Sequence, residues 1–135
     1  MEKMNTMKTP VPSEGYEQAT LFHWAKMVEY KYPELRMMFH IPNGGSRGKA
    51  EAARFKAEGV KAGVSDIFLS VPSGSYHGLY IEMKRQRGGR VSQEQKDFQT
   101  DASEYGYKCC VCHGWEEAKN EIINYIESGR VKYEP

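Results

Sequence analysis

The sequence predicts an α/β fold in which a mixed central β-sheet is flanked by helices, and three observations support this prediction. Segments with helical and strand-like spacing of apolar residues alternate along the 135 residues, in the order α, β, α, β, β, α, β, α. The hydrophobic fraction of 39% and the charged fraction of 27% are typical of a globular protein. The length fits one domain, which we assign to residues 13–135, after a flexible arm at 1–12 that contains two prolines and no periodic pattern.

The first predicted elements are a helix, a short strand and a second helix. The first helix starts near Ser13 or Glu14, and Pro33 closes the segment. Glu17 falls on the apolar stripe of the helix, so its carboxylate is expected to point toward the interior or a cleft. The elements that follow are a short strand at 37–41, a turn at 42–45 and a second helix at 46–58, capped by Ser46 and stopped by Gly59.

A β-hairpin is predicted in the middle of the chain. Residues 64–71 and 78–84 both have strand character, and a Pro-Ser-Gly-Ser turn signal lies between them. In the second strand the carboxylate of Glu82 and the ammonium of Lys84 project side by side, because alternate residues of a strand share a face. Pairing of the two strands can bring Asp66 beside Glu82.

A capping box predicts the start of the third helix. Ser92 and Gln95 have the spacing of that motif. Gln95 lies on the same helix face as the residues predicted to be buried, which are Phe98, Ala102 and Tyr105. The chain is completed by a strand at 107–112 and a helix at 115–127. The inward face of this helix is predicted to contain Trp115, Ala118, Ile122 and Ile126.

Composition excludes several classes of protein. No apolar run approaches the roughly 20 residues of a membrane span, and no secretory signal is evident, so we expect a cytoplasmic protein that does not bind membranes. Cys109, Cys110 and Cys112 lack the paired spacing of a structural zinc site, so we expect none and interpret them as buried hydrophobes. Residues 47–96 carry ten basic and five acidic side chains. Solvated helix faces explain this excess best on charge alone, and a surface for a polyanion is the alternative.

Three carboxylates are predicted to converge on a divalent cation. Glu17, Asp66 and Glu82 would repel one another in a partly buried site unless a cation lay among them, and their oxygen ligands suit Mg²⁺ or Mn²⁺. We expect Asp66 and Glu82 to hold the metal, with the backbone carbonyl of Met83 as a further ligand. Glu17 would bind it directly or through water. Lys84 beside such a site fits phosphodiester hydrolysis, whereas a surface salt bridge between Glu82 and Lys84 is the non-functional alternative.

Further side chains are predicted to position the reactants and to bind DNA. Lys84 would orient or help to deprotonate the attacking water, or stabilise the transition state, and Gln95 would orient that water or the lysine. Guanidinium groups match phosphate geometry, so arginines near this strand would bind flanking phosphates. The glycines of the turn at 42–45 could bring backbone close to a phosphate, although a plain turn explains them equally well. The predicted DNA-binding residues are Asn43, Ser46, Arg47, Lys49, Arg85, Arg87 and Arg90.

Taken in order, these motifs resemble the VRR-NUC domain, a branch of the PD-(D/E)XK nuclease superfamily. The matching stretches lie between about residues 14 and 127 and comprise Glu17-Gln18 and residues 41–45, 59–66, 81–84 and 92–95. The resemblance implies a PD-(D/E)XK nuclease-like fold and a metal-dependent endonuclease whose active site contains Glu17, Asp66, Glu82, Lys84 and Gln95. One departure is Ser65, which stands where the family usually has a proline before the aspartate.

The resemblance also implies a substrate and an assembly. Minimal members of the family, typical of phages and bacteria, resemble homodimeric Holliday-junction resolvases. We therefore expect a homodimer that cleaves branched DNA, above all four-way junctions, in the cytoplasm of a bacterium, whether as a bacterial protein or as a phage protein in its host. Two alternatives remain: a nuclease acting on linear or flap DNA, and a non-catalytic nucleic-acid-binding module on a nuclease-like fold.

Overall fold

The computed structural model describes residues 10–42 and 48–131, and it has the predicted α/β architecture. Most of the predicted arm at 1–12 and three predicted DNA-binding residues, Asn43, Ser46 and Arg47, lie outside the described residues. The helices are α1 (Glu14–Met27), α2 (Lys49–Ala57), α3 (Gln93–Glu104) and α4 (Trp115–Val131). The strands are β1 (Met38–His40), β2 (Ile67–Leu69), β3 (Leu79–Lys84) and β4 (Lys108–His113), and a 3₁₀ helix spans Pro33–Met37.

The four strands form one mixed sheet in the order β1-β2-β3-β4. Both β1–β2 and β2–β3 are antiparallel, whereas β3–β4 is parallel, so the predicted hairpin is present. In the hairpin Ile67 pairs with Ile81. Continuing this register by one residue places Asp66, just before β2, opposite Glu82 in β3.

The main hydrophobic core lies between one face of the sheet and the helices α1 and α4. It includes Ile67 and Ile81 from the sheet, Leu21 from α1 and Ile122 from α4, all 0% exposed. Fully burying such a side chain contributes about 1.5–3 kcal/mol each. Three of the four residues predicted to face inward on the last helix, Ala118, Ile122 and Ile126, are buried, and the fourth, Trp115, is partly buried against the core.

The opposite face of β3 is covered by α3, so this strand is buried on both sides. The ring of Phe98 in α3 meets Tyr80 of β3 edge to face at a centroid distance of 5.0 Å, and Tyr80 also stacks on Phe68 of β2 at 4.4 Å. Glu82 and Lys84 continue the same row of side chains beyond Tyr80. The fold therefore takes two charged side chains out of water at the end of β3.

Several element boundaries differ from the predictions. Helix α1 starts as predicted but ends at Met27, well before Pro33, which instead opens the 3₁₀ helix. Helix α2 begins at Lys49 with Gly48 as its N-cap, the position that the prediction gave to Ser46, and none of its described residues is buried. Strand β2 is shorter than the predicted strand at 64–71 because only its centre pairs with both neighbours.

The predicted burial of Tyr105 is wrong, since its side chain is 76% exposed. Tyr105 is the C-cap residue of α3, and the chain turns away at Gly106, whose φ is +93°. Ala102, one turn earlier on the same face, is buried as predicted. No described helix combines the length and the apolar content that crossing a membrane requires.

Candidate active site

A charged pair is buried at the end of β3. The side chains of Glu82 and Lys84 are 2% and 8% exposed, and Lys84 Nζ lies 3.7 Å from Glu82 Oε2. A buried charge is costly unless it has partners, so each group must be stabilised by its neighbours. The burial distinguishes this pair from the surface salt bridge that was the non-functional alternative.

Gln95 joins the two members of the pair. Its Oε1 accepts a hydrogen bond from Lys84 Nζ at 3.1 Å, and its Nε2 donates to Glu82 Oε2 at 2.8 Å. The same Oε1 accepts from the backbone N–H of Ser92 at 2.9 Å, while Ser92 Oγ accepts from the backbone N–H of Gln95. The capping box of α3 thus fixes the orientation of the amide, because Oε1 must face two donors and Nε2 must face the carboxylate.

Asp66 is held beside Glu82 by the backbone of the neighbouring strands. Its Oδ2 accepts a hydrogen bond from the Met83 N–H at 2.8 Å. Its carbonyl oxygen accepts from the Ile41 N–H at 2.7 Å and lies 2.9 Å from His40 Nδ1. These bonds hold the carboxylate of Asp66 at the end of the sheet where Glu82 and Lys84 project.

The surroundings of Glu82 disfavour the charged form of its carboxyl group. Burial, followed by the charge of Asp66, raises the pKa of Glu82 to about 8, although Lys84 acts in the opposite direction. Glu82 Oε1 is buried and has no hydrogen-bond partner among the described residues. A cation at this position would favour the ionised carboxylate and supply the missing partner.

Glu17 is buried as predicted from the sequence, but its contacts lie elsewhere. The side chain is 0% exposed. Its Oε1 accepts a hydrogen bond from the Trp115 N–H, and its Oε2 accepts from Gln86 Nε2, both at 2.8 Å. Among residues 10–42 and 48–131, no three Asp, Glu, His or Cys side chains are grouped so that they could hold a metal. The predicted convergence of three carboxylates is therefore not observed, and two of them, Asp66 and Glu82, come together.

The donor set still fits a divalent cation. Two adjacent carboxylates, one with an unpaired buried oxygen, are the hard oxygen ligands that Mg²⁺ and Mn²⁺ prefer. These ions also keep several waters, so a site built on two carboxylates is sufficient.

Three neighbours of the site were not identified from the sequence. Glu14, in the first turn of α1, adds negative charge that raises the pKa of Glu82, and its signal was its place one helical turn before Glu17. Gln86 binds Glu17. Gly89 packs on Lys84, since a Cβ there would lie 3.0 Å from Lys84 Cβ. The sequence feature that could have identified it is the Gly-Gly pair at 88–89.

The basic residues predicted to bind DNA surround this end of the sheet only in part. Arg85, Arg87 and Arg90 are exposed in the segment that follows β3. Arg85 Nη2 donates to the Val11 carbonyl at 3.2 Å. Lys49 is exposed in the first turn of α2. Exposed guanidinium groups directly after Lys84 are accessible to phosphates.

Comparison with known proteins identifies similar chains. The family model described as VRR-NUC domain matches residues 13–116. A solved structure described as a VRR_NUC domain protein is 30% identical in sequence, with a TM-score of 0.78 over 90% of this chain and 93% of that chain. No curated protein matches the chain. The match confirms the predicted fold class and the resemblance on which it partly rested.

Proposed function

The chain belongs to the VRR-NUC domain family, and from that premise we propose that it is a divalent-metal-dependent endonuclease that cleaves branched DNA, with the four-way Holliday junction as its substrate. The observation that carries this proposal is the buried acid pair. Glu82 Oε1 has no hydrogen-bond partner among the described residues, and Asp66 lies beside it. An unpaired buried carboxylate oxygen is rare in folded proteins, and a bound ion would supply its partner.

Asp66 and Glu82 would hold the metal, with the backbone carbonyl of Met83 as a further ligand. Their oxygens suit Mg²⁺ and Mn²⁺. When bound, such an ion would neutralise the two carboxylates, acidify the attacking water and stabilise the charge that develops on the phosphate. The raised pKa of Glu82 supports this assignment, because the site without a cation favours the protonated acid at neutral pH.

Lys84 and Gln95 would act on the attacking water and the phosphate. Hydrolysis joins the water oxygen to phosphorus and breaks the bond to the leaving oxygen, which takes up a proton. Lys84 Nζ is held by Gln95 at 3.1 Å beside Glu82, where its positive charge can orient the water or stabilise the transition state. Gln95 would hold the ammonium of Lys84 and the carboxylate of Glu82 in fixed positions relative to each other, since it binds both.

DNA would be bound through its phosphates. Arg85, Arg87 and Arg90 are exposed next to Lys84 and would bind phosphates flanking the scissile bond, with Lys49 on α2 as a further contact. Asn43, Ser46 and Arg47 remain predicted DNA contacts and lie outside the described residues. Contacts of this kind recognise the shape of DNA and do not read its base sequence.

A homodimer is part of the proposal. The described residues of one chain hold one such acid pair, whereas resolving a four-way junction requires cuts on two strands. Two copies related by a twofold axis would supply both sites. We place this activity in the cytoplasm of a bacterial cell.

A substrate panel tests the proposal. Labelled four-way junction, flap, single-stranded and linear duplex DNA are incubated with Mg²⁺ or Mn²⁺ and with EDTA. We expect metal-dependent cleavage that is fastest on the junction. Glu82→Ala and Lys84→Ala should each abolish cleavage while the circular dichroism spectrum stays native, and the exposed Glu104→Ala should cleave like the wild type.

Three outcomes would contradict parts of the proposal. Activity that survives either site substitution refutes the assignment of the active site. Equal cleavage of linear duplex and junction refutes the substrate. Salt-sensitive DNA binding without cleavage in any divalent metal supports the non-catalytic alternative instead.

A further inference from the structure

Glu17 is a buried acid whose hydrogen bonds lead away from the candidate metal ligands. Its side chain is 0% exposed, and both carboxylate oxygens accept hydrogen bonds at 2.8 Å. One donor is the backbone N–H of Trp115, the first residue of α4, where the helix dipole favours a negative charge. The other donor is the side-chain amide of Gln86. The charge of Glu17 is thus stabilised without any cation.

These two donors lie on either side of the last residue of β3. Gln86 follows Lys84 by two residues along the chain. On the other side, the N–H of Gly114, directly before Trp115, donates to the carbonyl of Lys84 at 3.0 Å. A Cβ at Gly114, whose φ is +96°, would lie 3.0 Å from Gln86 Cγ and 3.6 Å from Glu17 Oε1. Glu17, Gln86 and the start of α4 therefore pack closely around the backbone of Lys84.

We propose that Glu17 is a positioning residue that fixes the backbone of Lys84, and that it is not a metal ligand. To bind a cation, Oε1 would have to release the backbone N–H of Trp115, which is costly to leave unpaired at a packed helix start, and Oε2 would have to release the side-chain amide of Gln86. By contrast, Glu82 Oε1 has no donor to release. The inference rests on the proposed function for the chemistry that Lys84 performs, but the hydrogen bonds of Glu17 exist without it.

Two classes of substitution separate positioning from metal binding. In Glu17→Gln the new amide oxygen can still accept from Trp115, and its NH₂ can meet Gln86 once the Gln86 amide rotates to present its oxygen. A lost metal ligand cannot be rescued in this way. Glu17→Ala and Gln86→Ala each remove one partner of the hydrogen bond between Glu17 and Gln86. Glu82→Gln serves as the control variant that loses a metal ligand.

The experiment measures the single-turnover cleavage rate across a Mn²⁺ titration for each variant. We expect Glu17→Gln to keep the Mn²⁺ midpoint within about twofold of the wild type and the saturating rate within about tenfold. Glu17→Ala and Gln86→Ala should lower the saturating rate by about 10- to 100-fold at an unchanged midpoint. A midpoint raised about tenfold or more in Glu17→Gln would make Glu17 a ligand and overturn the inference. Wild-type rates in both alanine variants, with only a lower melting temperature, would overturn it as well.

A second readout does not depend on catalysis. Mn²⁺ binding to the DNA-free protein is followed by the loss of the free-ion signal in electron paramagnetic resonance. Glu17→Gln should bind Mn²⁺ like the wild type, and Glu82→Gln should bind at least about tenfold more weakly. If the wild type binds Mn²⁺ but cleaves no DNA, the proposed function fails while this comparison still decides the role of Glu17. Equal weakening by the two substitutions would refute the inference.

Discussion

The buried carboxyl of Glu82 predicts that the protein becomes less stable as the pH rises, and Glu82→Gln should remove this dependence. Burial and the neighbouring Asp66 raise the pKa of Glu82 from the ordinary 4.5 to about 8 in the folded protein. Between these values the unfolded chain releases the proton and the folded chain keeps it, so the unfolded state binds fewer protons. The free energy of unfolding therefore falls as pH rises through this window and levels off above pH 8.

The size of the effect follows from the two pKa values. Within this window the free energy of unfolding falls by about 1.4 kcal/mol for each pH unit. The loss of stability between pH 5 and pH 8 is therefore on the order of 3 kcal/mol. This is a large share of the roughly 5–15 kcal/mol that stabilises a typical domain. An amide at this position keeps the shape and can accept from Gln95, but it does not titrate.

Urea unfolding at pH 5, 6, 7 and 8 in EDTA measures the difference between the two proteins. The wild type should lose stability relative to Glu82→Gln at each step, while Glu104→Gln, at an exposed position at the end of α3, should follow the wild type. Saturating Mn²⁺ at pH 8 should restore wild-type stability and leave Glu82→Gln unchanged, because the ion binds the ionised carboxylate. Parallel curves for wild type and Glu82→Gln across this range would refute the reasoning.

Three further substitutions test other parts of the structure by urea unfolding. Gln95→Ala removes the capping-box bond to Ser92 and the bonds to the buried side chains of Glu82 and Lys84, so we expect a loss of about 2–4 kcal/mol in the free energy of unfolding. A loss below about 0.5 kcal/mol would contradict the shared role of this amide. Ser65→Ala deletes a buried hydroxyl that has no hydrogen-bond partner among the described residues, so stability should stay within about 0.5 kcal/mol or increase; a clear loss would show that the hydroxyl is paired. Ile122→Ala leaves a cavity at a side chain that is 0% exposed and should cost about 2–5 kcal/mol, whereas a change near zero would contradict the core as described.

The parts of the fold that depend on local pattern could be predicted from the sequence. Alternation along β3 and the turn signal before it were sufficient to pair the hairpin and to place Asp66 next to Glu82. The spacing of Ser92 and Gln95 identified the capping box, because both partners lie within one helical turn. These features require no knowledge of distant residues.

Features that depend on distant contacts could not be predicted. The apolar stripe of α1 showed that Glu17 points inward, but not that its carboxylate meets an N–H 98 residues away at the start of α4. Tyr105 has the helical spacing of a buried residue, yet it lies at the last turn, where the chain departs before any element covers the ring. The close packing of Gly89 on Lys84 likewise depends on how the segment after β3 folds back.

The most direct test of the central claim is the single-turnover cleavage rate of a labelled four-way junction in Mn²⁺ for the wild type and for Glu82→Ala, each verified to be folded. We predict metal-dependent cleavage by the wild type and a rate reduced at least ~1000-fold in the variant, because the buried acid pair is lost. A rate in Glu82→Ala within about tenfold of the wild type would show that hydrolysis does not depend on this pair.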